Sequence, residues 1–324
     1  MRAIQRVAVA SDIHFASAAE CARGADYETR IIANPAARLF LRFHRRYVWL
    51  REPLKKNYLL DDFLSRADAD FLVANGDFSC DTGFVGVADD GSLDSVSQCL
   101  ARMRSVYGER MAVTWGDHDL GKKSFYGTTG GMRLESARLL ENELGAPAFW
   151  EREFNGIVFA GVSSSLVALD ALEEETLPEE REGWRILRQE HMNRVRTLFA
   201  GLKADQKLVL FCHDPSALPF LLKEEAVRSK LNRIERTVIG HLHSAFILKQ
   251  SRLLAGMPQI SFLGFTARKL SRALRQARLW KPFKVVLCPS LAGMELFKDG
   301  GYGLLELRSG SAPCTEFTIQ KLPR

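Results

Sequence analysis

Short apolar runs that end in polar residues recur along the chain and are typical of buried strands. The first run, 7–10, leads directly into Ser11-Asp12-Ile13-His14. The later runs occupy 70–75, 111–115, 207–212 and 237–240. Between them, apolar residues are often spaced three and four positions apart, which is typical of amphipathic helices. Strands that alternate with helices predict a parallel or mixed α/β sheet.

The same patterns predict the remaining elements. Helices are expected at 58–67, 92–107, 133–144 and 188–202, and further strands at 148–153, 157–162, 258–263 and 283–288. The segments 303–307 and 315–320 alternate like a closing antiparallel pair. The acidic segment 170–183 is expected to be a solvated loop.

Two segments predict strongly basic helices. In 38–51, Leu39, Phe43 and Tyr47 recur at helical spacing while arginines fill other faces. We interpret 34–57 as a basic amphipathic insertion. The second helix, at about 266–281, carries five Lys and Arg residues and no acidic residue between 268 and 278. A solvated face explains this second run of charge as well as a binding surface does.

The composition favours a single domain over residues 1–324 that includes both basic segments, since 324 residues with 46% hydrophobic content can form one large α/β domain. The net charge of +6 predicts an anionic partner, either a phosphate, a lipid headgroup or nucleic acid. Six cysteines without C-x-x-C spacing favour reduced thiols in the cytoplasm. No apolar run suits a signal peptide or a membrane span, so we expect a cytoplasmic protein, either free or attached to a membrane surface.

Acidic residues and histidines follow the predicted strands. Asp12 and His14 lie two apart, so on an extended chain their side chains point to the same side. The other groups are Gly76-Asp77, Gly116-Asp117-His118-Asp119, His213-Asp214 and Gly240-His241-Leu242-His243. In α/β sheets, ligands bind outside the carboxyl ends of the strands. Carboxylates together with imidazoles suit manganese, iron or zinc better than magnesium or calcium.

In the order and spacing of these groups, the sequence resembles the calcineurin-like metallophosphoesterase family. The family pattern is Asp-x-His, Gly-Asp, Gly-Asn-His-Asp/Glu, His and Gly-His-x-His, and the matching groups span roughly residues 7–245. Five of the seven histidines lie in them. The resemblance implies a four-layer α/β/β/α sandwich of two mixed sheets flanked by helices, and a centre with two divalent metal ions.

The resemblance also implies a role for each matching residue. One metal ion would be held by Asp12, His14, Asp77 and His243. The other would be held by Asp77, Asp117, His213 and His241, so that Asp77 bridges the two. Manganese is expected first, with iron or zinc as alternatives. A hydroxide between the ions would attack a phosphodiester or pyrophosphate bond, and His118 would act as general acid or electrostatic stabiliser, oriented by Asp119.

The chain departs from the family pattern at Asp117, where the family has Asn. A carboxylate in place of an amide gives the two ions three acidic ligands instead of two. We expect the extra charge to tighten metal binding and to weaken attraction for an anionic phosphate. Protonation of Asp117, or a different ionic partner for it, would restore the balance.

The first basic helix follows soon after His14, which places it at the rim of the predicted metal site. Its candidate substrate or membrane contacts are Arg42, Arg45, Arg46 and Trp49. Interleaved arginines and aromatic residues suit an interfacial helix. In this arrangement the chain is similar to the family members that cleave UDP-2,3-diacylglucosamine at a membrane surface. The alternatives are a nuclease or cyclic-nucleotide phosphodiesterase and, last, a non-catalytic metal-binding scaffold.

Overall fold

Ten strands in two sheets form the centre of the described fold. A computed structural model of the chain describes residues 5–124, 129–262, 265–308 and 315–323. Its strands are β1 (Arg6–Ala10), β2 (Phe71–Asn75), β3 (Met111–Thr114), β4 (Phe149–Phe154), β5 (Ile157–Val162), β6 (Lys207–Cys212), β7 (Ile234–Ile239), β8 (Val285–Leu287), β9 (Gly301–Leu307) and β10 (Thr315–Lys321).

Both sheets are mixed, as the sequence predicts. The first has the order β10-β9-β1-β2-β3. Its strands β1, β2 and β3 are parallel, and the closing pair β9 and β10 is antiparallel. The second has the order β4-β5-β6-β7-β8, with parallel β5 to β8 and antiparallel β4 at one edge. Parallel strands therefore occupy the interior of each sheet and direct their carboxyl ends to one edge.

Helices cover the outer faces of the sheets. They are α1 (Ala18–Ala22), α2 (Tyr27–Arg30), α3 (Pro35–Tyr47), α4 (Tyr58–Arg66), α5 (Asp90–Tyr107), α6 (Asp117–Leu120), α7 (Leu134–Asn142), α8 (Ser164–Val167), α9 (Leu169–Leu172), α10 (Arg181–Gly201), α11 (Leu218–Leu221), α12 (Glu225–Arg228), α13 (Ala245–Leu253) and α14 (Phe265–Gln276). A 3₁₀ helix, Ala277–Phe283, continues α14.

The two larger clusters of the core lie on opposite faces of the sheets, because successive strand residues face opposite sides of a sheet. Val7 and Val9 of β1 belong to a buried cluster with Phe159 and Phe211 of the other sheet, which packs the sheets face to face. Ala8 and its neighbours on the other face of β1 belong to the cluster shared with the helices. The four-layer α/β/β/α arrangement is thereby confirmed.

The basic insertion begins with a well-capped helix. The Asn34 side chain accepts hydrogen bonds from the backbone N–H groups of Ala36 and Ala37, and Pro35 occupies the first helical position. The helix ends at Tyr47, earlier than the predicted 51, and Leu50 then turns into the core with an exposed fraction of 3%.

Two of the predicted elements were wrong. Residues 258–262 form no strand, and residue 263 lies outside the described part of the chain. The acidic segment is not a solvated loop but a series of short helices. In it the buried Glu175 forms an ion pair with Lys269 of α14, and Glu174 forms one with Arg268. The second basic helix therefore holds two acidic residues of this segment.

The described part of the chain contains no helix both long and apolar enough to cross a membrane. Five cysteines, at 21, 80, 99, 212 and 288, are free thiols. Cys314 lies outside the described residues.

Candidate active site

The predicted metal residues follow the carboxyl ends of five parallel strands, drawn from both sheets. Asp12 and His14 follow β1, Asp77 follows β2, Asp117 follows β3, His213 follows β6, and His241 and His243 follow β7. Backbone hydrogen bonds hold neighbouring strand ends together, from Asp12 N to Gly76 O at 3.0 Å and from Gly240 N to His213 O at 2.9 Å. The sheet edge predicted from the apolar runs is therefore where these side chains meet.

These seven residues converge as two adjacent groups. Within each group the candidate ligand atoms lie within 4.8 Å of one another. The groups are Asp12, His14 and His243, and Asp77, Asp117, His213 and His241. His243 Nε2 lies 3.2 Å from Asp12 Oδ1, and His213 Nε2 lies 3.1 Å from Asp77 Oδ2. His213 Nε2 is also 3.9 Å from Asp12 Oδ1, so the two groups share one centre.

Hydrogen bonds outside the centre orient two of its imidazoles. With the Nδ1–H tautomers, His213 donates to the carbonyl oxygen of Asn75 at 2.6 Å and His14 donates to that of Ser79 at 3.1 Å. The Nε2 lone pairs then face the cluster, and His213 Nε2 has no hydrogen-bond partner although it is buried. Metal-binding histidines are oriented in this way. With three buried carboxylates beside them, these residues fit a divalent metal centre.

Burial and mutual charge set the pKa values in this centre. Burial lowers the pKa of His14. At His213 burial acts in the same direction, but the carboxylates of Asp77 and Asp12 outweigh it and raise the pKa well above its ordinary value. At Asp77, burial would raise the pKa, but His213 outweighs it and the pKa falls to about 2. A metal ion would displace the proton on His213, so metal binding should release protons.

The backbone of the site is strained. Asp12, His14, Asp77, His241 and His243 all have φ between +51° and +61°. Residues other than glycine adopt this left-handed region at an energetic cost, and such residues cluster at functional sites. The strain is the consequence of turning the chain sharply at each strand end while aiming a side chain at the centre.

Two glycines allow the loops to approach one another. A Cβ atom on Gly116 would lie 2.1 Å from Asp77 Oδ1, and one on Gly240 would lie 1.9 Å from Ser11 Oγ and 2.7 Å from Asp12 Oδ2. No larger residue fits at either position without displacing a candidate metal ligand, which explains the glycine at the start of the Gly116-Asp117-His118-Asp119 and Gly240-His241-Leu242-His243 groups.

Asp119 does not orient His118, contrary to the role implied by the resemblance. Its carboxylate accepts hydrogen bonds from the backbone N–H groups of Gly116 at 2.7 Å, Phe78 at 2.9 Å and Asp77 at 3.0 Å. Burial raises the pKa of Asp119 to about 7. Asp119 therefore joins the loops that follow β2 and β3.

The residue that faces His118 is Asp81, which the sequence analysis missed. Asp81 Oδ2 lies 3.7 Å from His118 Nδ1, and neither atom has a hydrogen-bond partner. Asp81 is fully buried, and its other oxygen accepts from Gly86 N at 2.8 Å. Desolvation lowers the pKa of His118 to about 3 and raises that of Asp81 well above its ordinary value. Asp81 lies in the loop after β2 and not directly at a strand end, so the periodicity gave no signal for it.

Asp117 has an ionic partner that was also missed. Asp117 Oδ1 lies 2.9 Å from His241 Nδ1 and 3.5 Å from His213 Nε2, within the centre. Asp117 Oδ2 lies on the other side, 2.5 Å from Lys122 Nζ. The extra negative charge expected from the sequence is therefore paired with a cation.

A cavity of about 440 Å³ opens beside the centre and includes His118 and His241 in its lining. One side is formed by α3 and the residues after it, including Leu41 and Trp49. Another part of the lining comes from α14 and the 3₁₀ helix after it, including Arg272. The cavity therefore combines apolar walls with charged side chains next to the candidate metal ligands. Its lining holds Lys and Arg residues and also the carboxylates of Glu28, Glu174, Glu175 and Asp214.

The four residues predicted as substrate or membrane contacts lie in different environments. Trp49 lines the cavity and its ring lies 4.7 Å from that of His243. Arg45 faces inward, where it lies 2.9 Å from Glu28 and 5.1 Å from the Tyr27 ring centroid. Arg42 and Arg46 lie on the exposed surface of α3. Arg45 thus differs from Arg42 and Arg46, which point outward, although the sequence predicts the same role for all three.

Comparisons with known proteins agree with this geometry. The sequence model of the calcineurin-like phosphoesterase family matches residues 5–245, whereas no curated protein matches the chain significantly. The chain is similar in structure to a dimetal phosphatase from Danio rerio, with 14% identity, a TM-score of 0.53, and coverage of 98% of this chain and 96% of that one.

A phosphopantetheinyl hydrolase from Mycobacterium tuberculosis also aligns, with 14% identity, a TM-score of 0.37, and coverage of 75% of this chain and 84% of that one. The family match covers most of the chain and includes every one of the candidate metal ligands. The chain therefore belongs to the calcineurin-like phosphoesterase family and is a metal-dependent hydrolase of phosphate esters.

Proposed function

We propose that this enzyme hydrolyses a phosphodiester or pyrophosphate bond in an amphiphilic substrate at an anionic membrane surface, as in the cleavage of UDP-2,3-diacylglucosamine. The cavity beside the candidate metal centre carries the proposal. Its apolar walls suit an acyl or other apolar part of a substrate, and its cations suit the phosphates. A small, fully polar phosphate ester would leave the apolar walls without a partner.

The candidate ligands fit two divalent cations, one in each group, and we expect Asp77 of the second group to bridge the two ions. When bound, such a pair supplies a hydroxide nucleophile and stabilises the charge on the phosphate. Manganese is our first expectation, because it accepts both carboxylate and imidazole ligands.

His118 supplies the remaining polar contact. Its ring lies 5.5 Å from that of His14 and lines the cavity. The imidazole is neutral at neutral pH because desolvation lowers its pKa to about 3. Burial raises the pKa of Asp81 well above its ordinary value, so its protonated carboxyl can donate to His118 Nδ1. The Nε2–H of His118 is then free to donate to a phosphate oxygen or to the leaving oxygen, which stabilises charge as the P–O bond breaks.

Exposed apolar side chains on α3 support the membrane part of the proposal. Leu39, Phe40, Phe43 and Tyr47 are 70%, 64%, 58% and 51% exposed. Leu296, whose side chain is also exposed, lies next to the end of this helix, because its backbone N–H donates to the carbonyl oxygen of Val48. Exposed apolar clusters of this kind mark interaction sites.

The positive charge beside this apolar surface favours an anionic partner. The helix α3 contains no acidic residue, and Arg42 and Arg46 are exposed beside the apolar side chains. Apolar residues together with arginines suit the boundary between acyl chains and anionic headgroups. The cavity lies behind the same helix, so a lipid substrate could enter the site directly from the membrane surface.

A substrate panel tests the proposal. With Mn²⁺, the enzyme should hydrolyse UDP-2,3-diacylglucosamine in mixed micelles at a kcat/KM at least about 100-fold above that for soluble UDP-N-acetylglucosamine, since each well-buried apolar group adds binding energy. Equal rates on the two substrates, with no binding to anionic vesicles, would contradict it. Preferred cleavage of DNA or RNA, with a steep loss of binding as salt increases, would instead identify a nuclease.

Two variants separate the contribution of the membrane contact from that of the metal centre. The double variant Phe40→Ser/Phe43→Ser should reduce activity on the micellar substrate and leave hydrolysis of soluble bis-p-nitrophenyl phosphate unchanged. Asp77→Ala should abolish both activities. If the Phe40→Ser/Phe43→Ser variant keeps full activity on the micellar substrate, the membrane part of the proposal is wrong.

A further inference from the structure

Lys122 is placed between the candidate metal centre and the cavity. Its Nζ lies 2.5 Å from Asp117 Oδ2. The lysine also lines the cavity, and its side chain is 28% exposed. A single ammonium group can therefore contact both a candidate metal ligand and a molecule in the cavity.

The negative charge of the candidate metal centre explains why a lysine at this position matters. Asp12, Asp77 and Asp117 are all buried, with exposed fractions of 0%, 1% and 8%. Among the described residues, Asp117 is the only one of the three with a Lys or Arg partner in an ion pair. The other two carboxylates face imidazoles and backbone N–H groups. Lys122 thus cancels the charge of one of the three carboxylates.

The local backbone fixes the pairing. Asp117 begins α6, and Lys122 follows the end of this one-turn helix after Gly121, whose φ is +99°. A Cβ on Gly121 would lie 2.4 Å from the carbonyl oxygen of Gly131. The tight turn returns the chain towards the centre, so that the lysine reaches the carboxylate at the start of the same helix.

We propose that Lys122 is a substrate-binding residue that acts as one unit with Asp117: its ammonium neutralises the third carboxylate and binds the phosphate of the substrate. This inference rests on the metal centre of the proposed function. The pair makes a carboxylate at position 117 compatible with an anionic substrate. It also predicts opposite effects of the two side chains on metal affinity, because the lysine competes with the cations for the carboxylate.

Calorimetric titration of the metal-free protein with Mn²⁺ tests the pair without relying on activity. Lys122→Met should tighten Mn²⁺ binding about tenfold and Asp117→Asn should weaken it about tenfold, as expected for residues that contact or support ligands. The double variant should return to within about threefold of the parent affinity. Lys122→Arg keeps the charge and should bind Mn²⁺ like the parent.

Lys123→Met is the matched control, because it removes the same charge from the adjacent position. Its Nζ donates to the carbonyl oxygen of Glu174, and it should leave Mn²⁺ affinity unchanged. Thermal melting of each variant verifies that the fold is intact. A Lys122→Met variant that melts like the parent but binds Mn²⁺ like Lys123→Met would overturn the charge-balancing role.

Kinetics with bis-p-nitrophenyl phosphate test the contact with substrate. Lys122→Met should raise KM about tenfold or more, since a hydrogen bond to a charged group is lost, and Lys122→Arg should recover most of that loss. An unchanged KM in both variants would overturn the phosphate contact while leaving the metal centre intact. A parent protein that binds no Mn²⁺ would instead overturn the proposed function and this inference together.

Discussion

His118 and Asp81 face each other across the edge of the candidate active site, with 3.7 Å between His118 Nδ1 and Asp81 Oδ2. Both atoms lack a hydrogen-bond partner, although both are buried. A slight movement would close the hydrogen bond, and catalytic contacts are often long in the absence of substrate. Asp81 is therefore placed to fix the orientation and tautomer of the imidazole that lines the cavity.

Asp81→Ala should lower kcat on bis-p-nitrophenyl phosphate about 10- to 100-fold, because His118 would lose its orienting partner. Mn²⁺ affinity should remain the same, since Asp81 belongs to neither group of candidate ligands. Asp94→Ala, on the exposed surface of α5, is the control and should behave like the parent. An Asp81→Ala enzyme with parental kcat would rule out the positioning role.

Asp119→Ala should destabilise the protein by about 3 kcal/mol or more, because three backbone N–H groups would lose a buried acceptor. Asp119→Asn retains one acceptor oxygen and should lose about half as much. Urea unfolding of the metal-free variants measures both differences. If Asp119→Ala unfolds at the parental urea concentration, its carboxylate does not hold the two loops together.

The backbone at Asp77 is left-handed, with φ of +58°, and should therefore be strained. Asp77→Gly and Asp77→Ala both remove the carboxylate, but only glycine relieves the backbone. In the metal-free state the glycine variant should be more stable than the alanine variant by about 1 kcal/mol.

The reference pair for this comparison is Asp119→Gly and Asp119→Ala, because Asp119 lies in α6. There the alanine variant should be the more stable of the two. If alanine is also favoured at 77, the backbone at that position is not strained.

The arginines of α3 should separate into two classes. Arg45→Met should lower the free energy of unfolding by about 2 kcal/mol, since it leaves Glu28 unpaired and removes the contact with the Tyr27 ring. The variants Arg42→Met and Arg46→Met should keep parental stability and instead reduce binding to anionic vesicles, by about 1 kcal/mol for each arginine. Loss of vesicle binding without loss of stability in Arg45→Met would reverse this assignment.

The sequence predicts most of this centre because its residues directly follow strands. Continuous apolar runs identify β1, β2, β3, β6 and β7, and parallel strands bring their carboxyl ends to one edge. The sequence alone therefore predicts that Asp12 and Asp77 lie together. The apolar runs by themselves predict only a parallel or mixed α/β sheet, and the division into two mixed sheets follows from the family resemblance.

Contacts that depend on side-chain direction were not predictable in this way. Asp81 and Lys122 lie in loops whose course no periodicity describes. Arg45 belongs to the same basic run as Arg42 and Arg46, and only packing against Tyr27 turns it inward. For Lys122 there was an indirect signal, because a third carboxylate in a site for an anionic substrate calls for a nearby cation.

The central claim is that the two groups hold two divalent cations that serve one hydrolytic site. Anomalous diffraction from crystals of the protein soaked in Mn²⁺ tests it most directly. The account predicts two anomalous peaks about 3.5 to 4 Å apart, one contacting Asp12, His14 and His243 and the other contacting Asp117, His213 and His241, with Asp77 between them. A single peak, or peaks remote from these side chains, would contradict it.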